Sequence, residues 1–210
     1  MGLFFLTQTF AQVVPQGFLV NQTIETVTIG TQIWMKYNLD VTTYQNGDPI
    51  ERADLAFNNN ITTPSWCYYN HNSAFNATYG KLYNGYAVND ARNICPVGFR
   101  VPTRSDFNTL ATTIGGNANG YKLKEAGTVH WTAPNTSANN ATNFTALPGG
   151  YMGDQNSSSN MFTWAYFWTS TPLPDNSTNY IRYLTNNSAN FTESTAFVME
   201  GGASVRCIKN

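Results

Sequence analysis

Apolar and polar residues begin to alternate at about residue 25. Val27, Ile29 and Ile33 are separated by polar or small residues, and this period of two predicts strands with one buried face. Gly30 lies where the chain has to turn between them. The Asn-Gly pair at 46–47 predicts a further tight turn, because it tolerates positive φ angles. The opening segment therefore predicts a β-hairpin.

The clearest helical pattern begins after Thr103. Thr103 offers an N-cap hydroxyl and Asp106 follows three residues later, which is close to a capping box. The apolar residues that recur at helical spacing are Phe107, Leu110, Ala111 and Ile114. Two glycines at 115–116 predict the end of the helix.

The remaining pattern consists of short strands and long polar loops. Strands are predicted at 82–88, 164–170, 178–184 and 195–208, and Asn-, Thr- and Ser-rich loops at 132–145 and 153–160. One main helix with many short antiparallel strands and long polar loops predicts an α+β fold. We expect a single domain over residues 25–210.

Charged residues make up only 11% of the chain, although 41% is hydrophobic. An average soluble domain has roughly 25% charged residues, so Asn, Thr, Ser and Tyr must cover much of this surface. Such a surface favours an extracellular or virion setting. The net charge is -1 and the basic residues are scattered, so we expect no nucleic-acid partner.

The amino-terminal segment is apolar and has no place in the alternating pattern. Residues 2–6 followed by 7–12 are typical of the end of a secretory signal, but the segment is short and lacks a basic region. We interpret residues 1–24 as an arm whose first 20 residues dock on another subunit; a vestigial signal is the alternative. No later stretch approaches the ~20 apolar residues of a membrane span.

Three cysteines, Cys67, Cys95 and Cys207, allow at most one intramolecular disulfide. The residues alone do not select a pair. The alternative is that all three are reduced and buried as small hydrophobic side chains.

Several short sequence motifs of the chain resemble those of the Fibrobacter succinogenes major paralogous domain family. They occur in order at 27–34 with 38–39, 66–70, 79–84 with 87–88, 95–103, 167–170 and 204–207. Together they span about residues 25–210, so residues 1–24 fall outside the family pattern.

The resemblance implies a C-type-lectin-like fold, which is similar to that of formylglycine-generating enzymes. In that fold a helix and the terminal strand meet beside a loop-rich half, which favours a disulfide between Cys95 and Cys207. The family occurs in secreted and surface proteins of Bacteroidetes-type bacteria and in phages. Some members resemble the variable proteins of diversity-generating retroelements, whose carboxy-terminal loops bind ligands.

Candidate catalytic chemistry is sparse. His71 and His130 have no companion at metal-ligand spacing, and no nucleophile elbow, phosphate loop or dinucleotide motif occurs. The acidic residues are too dispersed to nominate a glycosidase pair. The fold's catalytic relatives use two thiols near the carboxy terminus, where this chain has only Cys207. The Pro134 loop lacks the acid of a calcium-dependent lectin, so we expect no enzyme activity, metal or cofactor.

Aromatic and amide side chains concentrate in the carboxy-terminal third, and this composition is typical of adaptable binding surfaces. The candidate ligand-binding residues are Trp164, Tyr166, Asn176, Asn179, Tyr180, Arg182, Tyr183, Asn186 and Asn190. The alternative is that the strand residues belong to the core and the asparagines only cover the surface.

We therefore expect a non-catalytic surface recognition, attachment or decoration module that binds a glycan or a protein. The first alternative is a purely structural subunit of a virion or extracellular filament, anchored by its arm. The second is an enzyme of unrecognised type. In the first two cases the chain is expected to work as an oligomer or as part of a larger particle.

Overall fold

The computed structural model describes residues 24–53, 61–153 and 157–210, so the predicted arm at 1–20 lies outside the described residues. The strands are β1 (Thr26–Ile29), β2 (Gln32–Met35), β3 (Glu51–Arg52), β4 (Ser65–Cys67), β5 (Leu82–Tyr83), β6 (Phe99–Arg100), β7 (Gly149–Met152), β8 (Ser158–Met161), β9 (Trp164–Pro172), β10 (Asn179–Thr185), β11 (Thr192–Ser194) and β12 (Ile208–Lys209). The α-helices are α1 (Asn76–Tyr79), α2 (Gly85–Val88) and α3 (Arg104–Thr113); 3-10 turns occupy Tyr69–His71, Ser73–Phe75 and Asn117–Lys122.

The strands form three sheets, with orders β1-β2-β12-β6, β11-β10-β9-β7-β8 and β3-β4-β5. Mostly β-structure with a few short helices fits an α+β fold. No helix in the described ranges has both the length and the apolar character needed to cross a bilayer.

The predicted hairpin is confirmed as β1 paired antiparallel with β2. Gly30 turns between them at φ +61, and a Cβ there would lie 2.8 Å from the Thr113 side chain. Only glycine therefore allows the hairpin to pack this closely against the end of α3.

The predicted helix is also confirmed. The Thr103 side chain caps α3 by accepting from the Asp106 backbone N–H, and Asp106 accepts in return from the Thr103 backbone. Asp106 also forms an ion pair with Arg100 at 2.6 Å, which ties the helix start to β6. Phe107 and Leu110 are fully buried on the inner face.

The closing strand lies beside the region that precedes α3. Ile208 pairs with Arg100 and Lys209 with Phe99, and Cys95 is joined to Cys207 with a Cα–Cα distance of 5.9 Å. The disulfide implied by the family resemblance is therefore present, and it connects the loop before β6 covalently to the segment before β12.

Arg206 lies next to this disulfide and is 1% exposed. Its guanidinium donates to Asn38 Oδ1 at 2.8 Å, to the Lys36 carbonyl at 2.8 Å and to the Phe144 carbonyl at 2.6 Å. No carboxylate in the described residues pairs with it, and burial lowers the pKa of Arg206 to about 9. Arg206 thus connects the last segment to two loops.

Two predicted strands are wrong in part. The strand predicted at 82–88 ends after Tyr83, because the Asn84 side chain accepts from the Ala87 backbone and starts α2. The strand predicted at 195–208 is not continuous. Residues 202–204 instead bridge in turn to Met152, Tyr83 and Phe167, so the backbone bonds of this segment are divided among three neighbours.

The predicted strands at 164–170 and 178–184 are confirmed as β9 and β10 with slightly shifted ends. Their side chains alternate between two buried clusters, with Trp168 and Ile181 in one cluster and Phe167 and Leu184 in the other. The five-stranded sheet therefore has buried side chains on both sides, and only residues near its edges are exposed to solvent.

Candidate functional site

Three of the predicted site residues meet on one side of the β9–β10 ribbon. Tyr183 lies directly opposite Tyr166 in the antiparallel register. Trp164, two residues before Tyr166 on the same strand, stacks on Tyr166 with ring centroids 5.5 Å apart and lies 4.9 Å from the Tyr183 ring. Alternation along the strands thus produces a continuous aromatic surface.

Two aromatic residues that the sequence analysis missed complete this surface. Tyr151 on β7 is 5.3 Å from Tyr166, and Phe197 in the loop after β11 is 5.6 Å from Tyr151. We call Tyr151, Trp164, Tyr166, Tyr183 and Phe197 the aromatic face. Local patterns could not join Tyr151 and Phe197 to the others, because they come from segments far apart in the chain.

The aromatic face is partly open to solvent. Tyr166 is 9% exposed and the other four rings are half-buried. Burial raises the pKa of Tyr166 to about 12, and its hydroxyl accepts a hydrogen bond from the Asn160 amide at 3.1 Å. Tyr166 is therefore the most buried and the central ring of the surface.

Trp164 differs from the other four tryptophans. The indole N–H groups of Trp34, Trp66, Trp131 and Trp168 each donate to a protein acceptor. The Trp164 indole N–H has no acceptor among the described residues. It is left available to solvent or to a bound molecule.

Two other predicted site residues on β10 face the opposite side of the sheet. Arg182 is 3% exposed and donates to Asn117 Oδ1 and Asn108 Oδ1, and burial lowers the pKa of its guanidinium. Tyr180 lies beneath Arg104, whose guanidinium carbon is 4.0 Å from the ring centroid. These side chains hold α3 against the sheet.

The four predicted asparagines are dispersed. Asn179 is fully buried at the start of β10 and exchanges amide hydrogen bonds with Asn89. Asn176 is exposed in the turn after β9. Asn186 donates to the carbonyls of loop residues 132–133, and Asn190 is exposed in the turn after β10. None of the four contacts the aromatic face among the described interactions.

Comparison with known families gives one match. The family model described as the Fibrobacter succinogenes major domain matches residues 27–209. This chain belongs to that family. No curated protein and no solved structure matches it. In this family member, the family motif at 167–170 forms the middle of β9. The motif at 204–207 contains the buried Arg206 and the disulfide-bonded Cys207.

A cleft of about 420 Å³ lies elsewhere in this family member, between α2 and the start of α3. Its charged groups are already paired. Arg92 bonds to Asp90 and lowers the pKa of that carboxyl to about 2, while Arg100 pairs with Asp106. The cleft therefore has little polar capacity left for a ligand.

Among the described residues, neither histidine belongs to a group that could hold a metal ion. His130 Nδ1 lies 2.8 Å from the Glu125 carboxylate, and its ring packs edge-on against Tyr79. No group of three His, Cys, Asp or Glu side chains in the described ranges is placed to hold a metal ion. The aromatic face is the strongest candidate site in the described part of the chain.

Proposed function

We propose that this member of the Fibrobacter succinogenes major domain family is a non-catalytic recognition module, displayed at an extracellular or virion surface, that binds its partner through the aromatic face. Trp164 carries this proposal. Its ring belongs to a partly open aromatic cluster, and its N–H lacks an acceptor in the part of the chain that the structure describes. A half-buried indole with an unused donor is suited to contact a ligand with both its ring and its N–H.

We also propose a C-type-lectin-like architecture for the domain. The arrangement of α3, β6 and β12 around one disulfide supports this assignment, as do the long loops that surround the five-stranded sheet. The disulfide and the low charge density support an oxidising, extracellular setting.

Binding can be tested with the full chain on a printed array that carries both oligosaccharides and extracellular proteins. We expect captured signal to fall at least about tenfold in Trp164→Ala, because the loss of one central aromatic contact commonly costs this much. Tyr37→Ala is the matched control, since Tyr37 is 48% exposed and lies outside the aromatic face. Array binding that survives both Trp164→Ala and Tyr183→Ala would reject the aromatic face as the site.

A further inference from the structure

The aromatic face carries no charge of its own. The residues directly opposite its members are Ser159 beside Tyr151, Thr192 beside Tyr183 and Thr185 beside Trp164. The nearest charged strand residues, Arg182 and Glu193, pair with each other across β10 and β11. Because alternate residues point to opposite sides of a sheet, these charges face away.

No lysine or arginine in the described residues lies over the rings of the aromatic face. Cation–ring contacts occur elsewhere, for example Arg92 over Tyr44 at 4.0 Å and Arg206 over Phe144 at 4.5 Å. Among the described residues, the surface thus offers apolar rings bordered by hydroxyls and amides, without an ion to attract a charged partner.

Its size also restricts the partner. A large aromatic side chain has roughly 150–250 Å² to bury, so four half-buried rings and Tyr166 expose at most about 400 Å² together. A standard protein interface needs roughly 800 Å² from each partner. The aromatic face is about half that size, which suits a small ligand.

We infer that the aromatic face binds a short uncharged oligosaccharide without a metal ion; this inference rests on the proposed function. The C–H faces of pyranose rings match the aromatic rings. The sugar hydroxyls can form hydrogen bonds with the Trp164 indole N–H and with the hydroxyls of Tyr151 and Tyr183. The Asn160 side chain also borders the site, where its Nδ2 donates to the Tyr166 hydroxyl. The Tyr151 and Tyr183 hydroxyls, like the indole N–H, have no hydrogen-bond partner among the described residues.

The experiment follows the five indole N–H signals of the ¹⁵N-labelled full chain by NMR, with Trp164 assigned from Trp164→Phe. The probes are neutral hexasaccharides of glucose, mannose, galactose, xylose and N-acetylglucosamine, compared with hexagalacturonate and a heparin-derived hexasaccharide. We expect saturable shifts of the Trp164 signal with at least one neutral probe. The other four indoles should move less, since their protons are already donated to protein acceptors.

Variants and conditions give independent readouts. Tyr183→Ala should raise the dissociation constant about tenfold, and Tyr37→Ala should change it by less than about twofold. EDTA should not change binding, because the inferred site uses no metal ion. About 0.5 M NaCl should not change it either, because the rings of the aromatic face carry no charge for salt to screen. Circular dichroism of each variant controls for folding.

Three outcomes would overturn the inference: binding of the anionic probes alone with loss at high salt, loss of binding in EDTA, or no shift with any sugar. If the array captures only a protein, and that capture depends on Trp164, the proposed recognition function stands and the oligosaccharide inference is rejected. If no ligand on the array binds in a way that depends on Trp164, both are rejected.

Discussion

Removing the Cys95–Cys207 disulfide is expected to be the most destabilising single covalent change in the domain. The bond joins residues 112 positions apart, so it restricts most of the unfolded chain. The chain-entropy relation assigns about 5 kcal/mol to a loop of this length. Domains of this kind unfold with roughly 5–15 kcal/mol, so the bond accounts for a third or more of the total.

Reduction and substitution measure different parts of this effect. Dithiothreitol breaks the cross-link but keeps both sulfurs, whereas the double variant Cys95→Ala/Cys207→Ala also removes buried packing at two positions that are 1% and 0% exposed. Urea unfolding of the reduced protein should show its midpoint about 2 M lower, if the denaturant slope is near 2–3 kcal/mol per M. The double variant should be slightly less stable still.

Cys67→Ala is the control, because Cys67 is equally buried but is not part of the disulfide. It should cost only about 1 kcal/mol of packing. Because both bonded sulfurs are buried, reduction without urea should be slow and should follow unfolding. A midpoint shift below about 0.5 M on reduction, or an equal loss in Cys67→Ala, would refute the argument.

Three further changes test other parts of the fold. Thr103→Ala removes the helix cap and should lower the free energy of unfolding by about 1 kcal/mol in urea titrations; a loss below about 0.3 kcal/mol would contradict the capping role. Arg206→Met leaves buried carbonyls without donors and should cost at least about 3 kcal/mol, with Arg206→Lys only partly restoring stability because it lacks the planar fork; a neutral result for Arg206→Met would show that packing compensates. Asp90→Asn should cost about 1 kcal/mol at pH 7, since Arg92 is partly exposed and screened by solvent. The pKa of Asp90 in the folded state is about 2, below its ordinary value of 3.8, so the wild-type advantage should be complete above about pH 5 and be lost progressively as the pH falls to about 1; an advantage that is undiminished at about pH 1 would exclude this ionisation as its cause.

Short-range signals of the sequence were enough for the elements that depend on neighbouring residues. The β1–β2 hairpin follows from alternation around Gly30, and α3 follows from Thr103 with Asp106. Asn84 shows the limit of this reasoning. The segment after it has strand-like composition, but a buried side chain that caps the backbone makes a helical turn instead.

The candidate site could be predicted from sequence only in part. Alternation implies that Tyr183 and Arg182 point to opposite sides of β10, yet it does not say which side is open to solvent. That was decided by α3 and its cluster, which cover the side of Arg182. Phe197 was predicted within a continuous strand and lies in a loop over the opposite side, 5.8 Å from Tyr166.

Patterns among neighbouring residues were sufficient to predict the α+β composition, the hairpin and the capped helix, and the family resemblance indicated the partner of Cys95. The positions of Tyr151 and Phe197 beside Trp164, and the burial of Arg182 and Asn179, follow instead from the packing of segments that are distant in the chain. The physical reason is that hydrogen bonds within a turn or a helix need only nearby residues. A surface assembled from β7, β9, β10 and a distant loop depends on how the three sheets pack together.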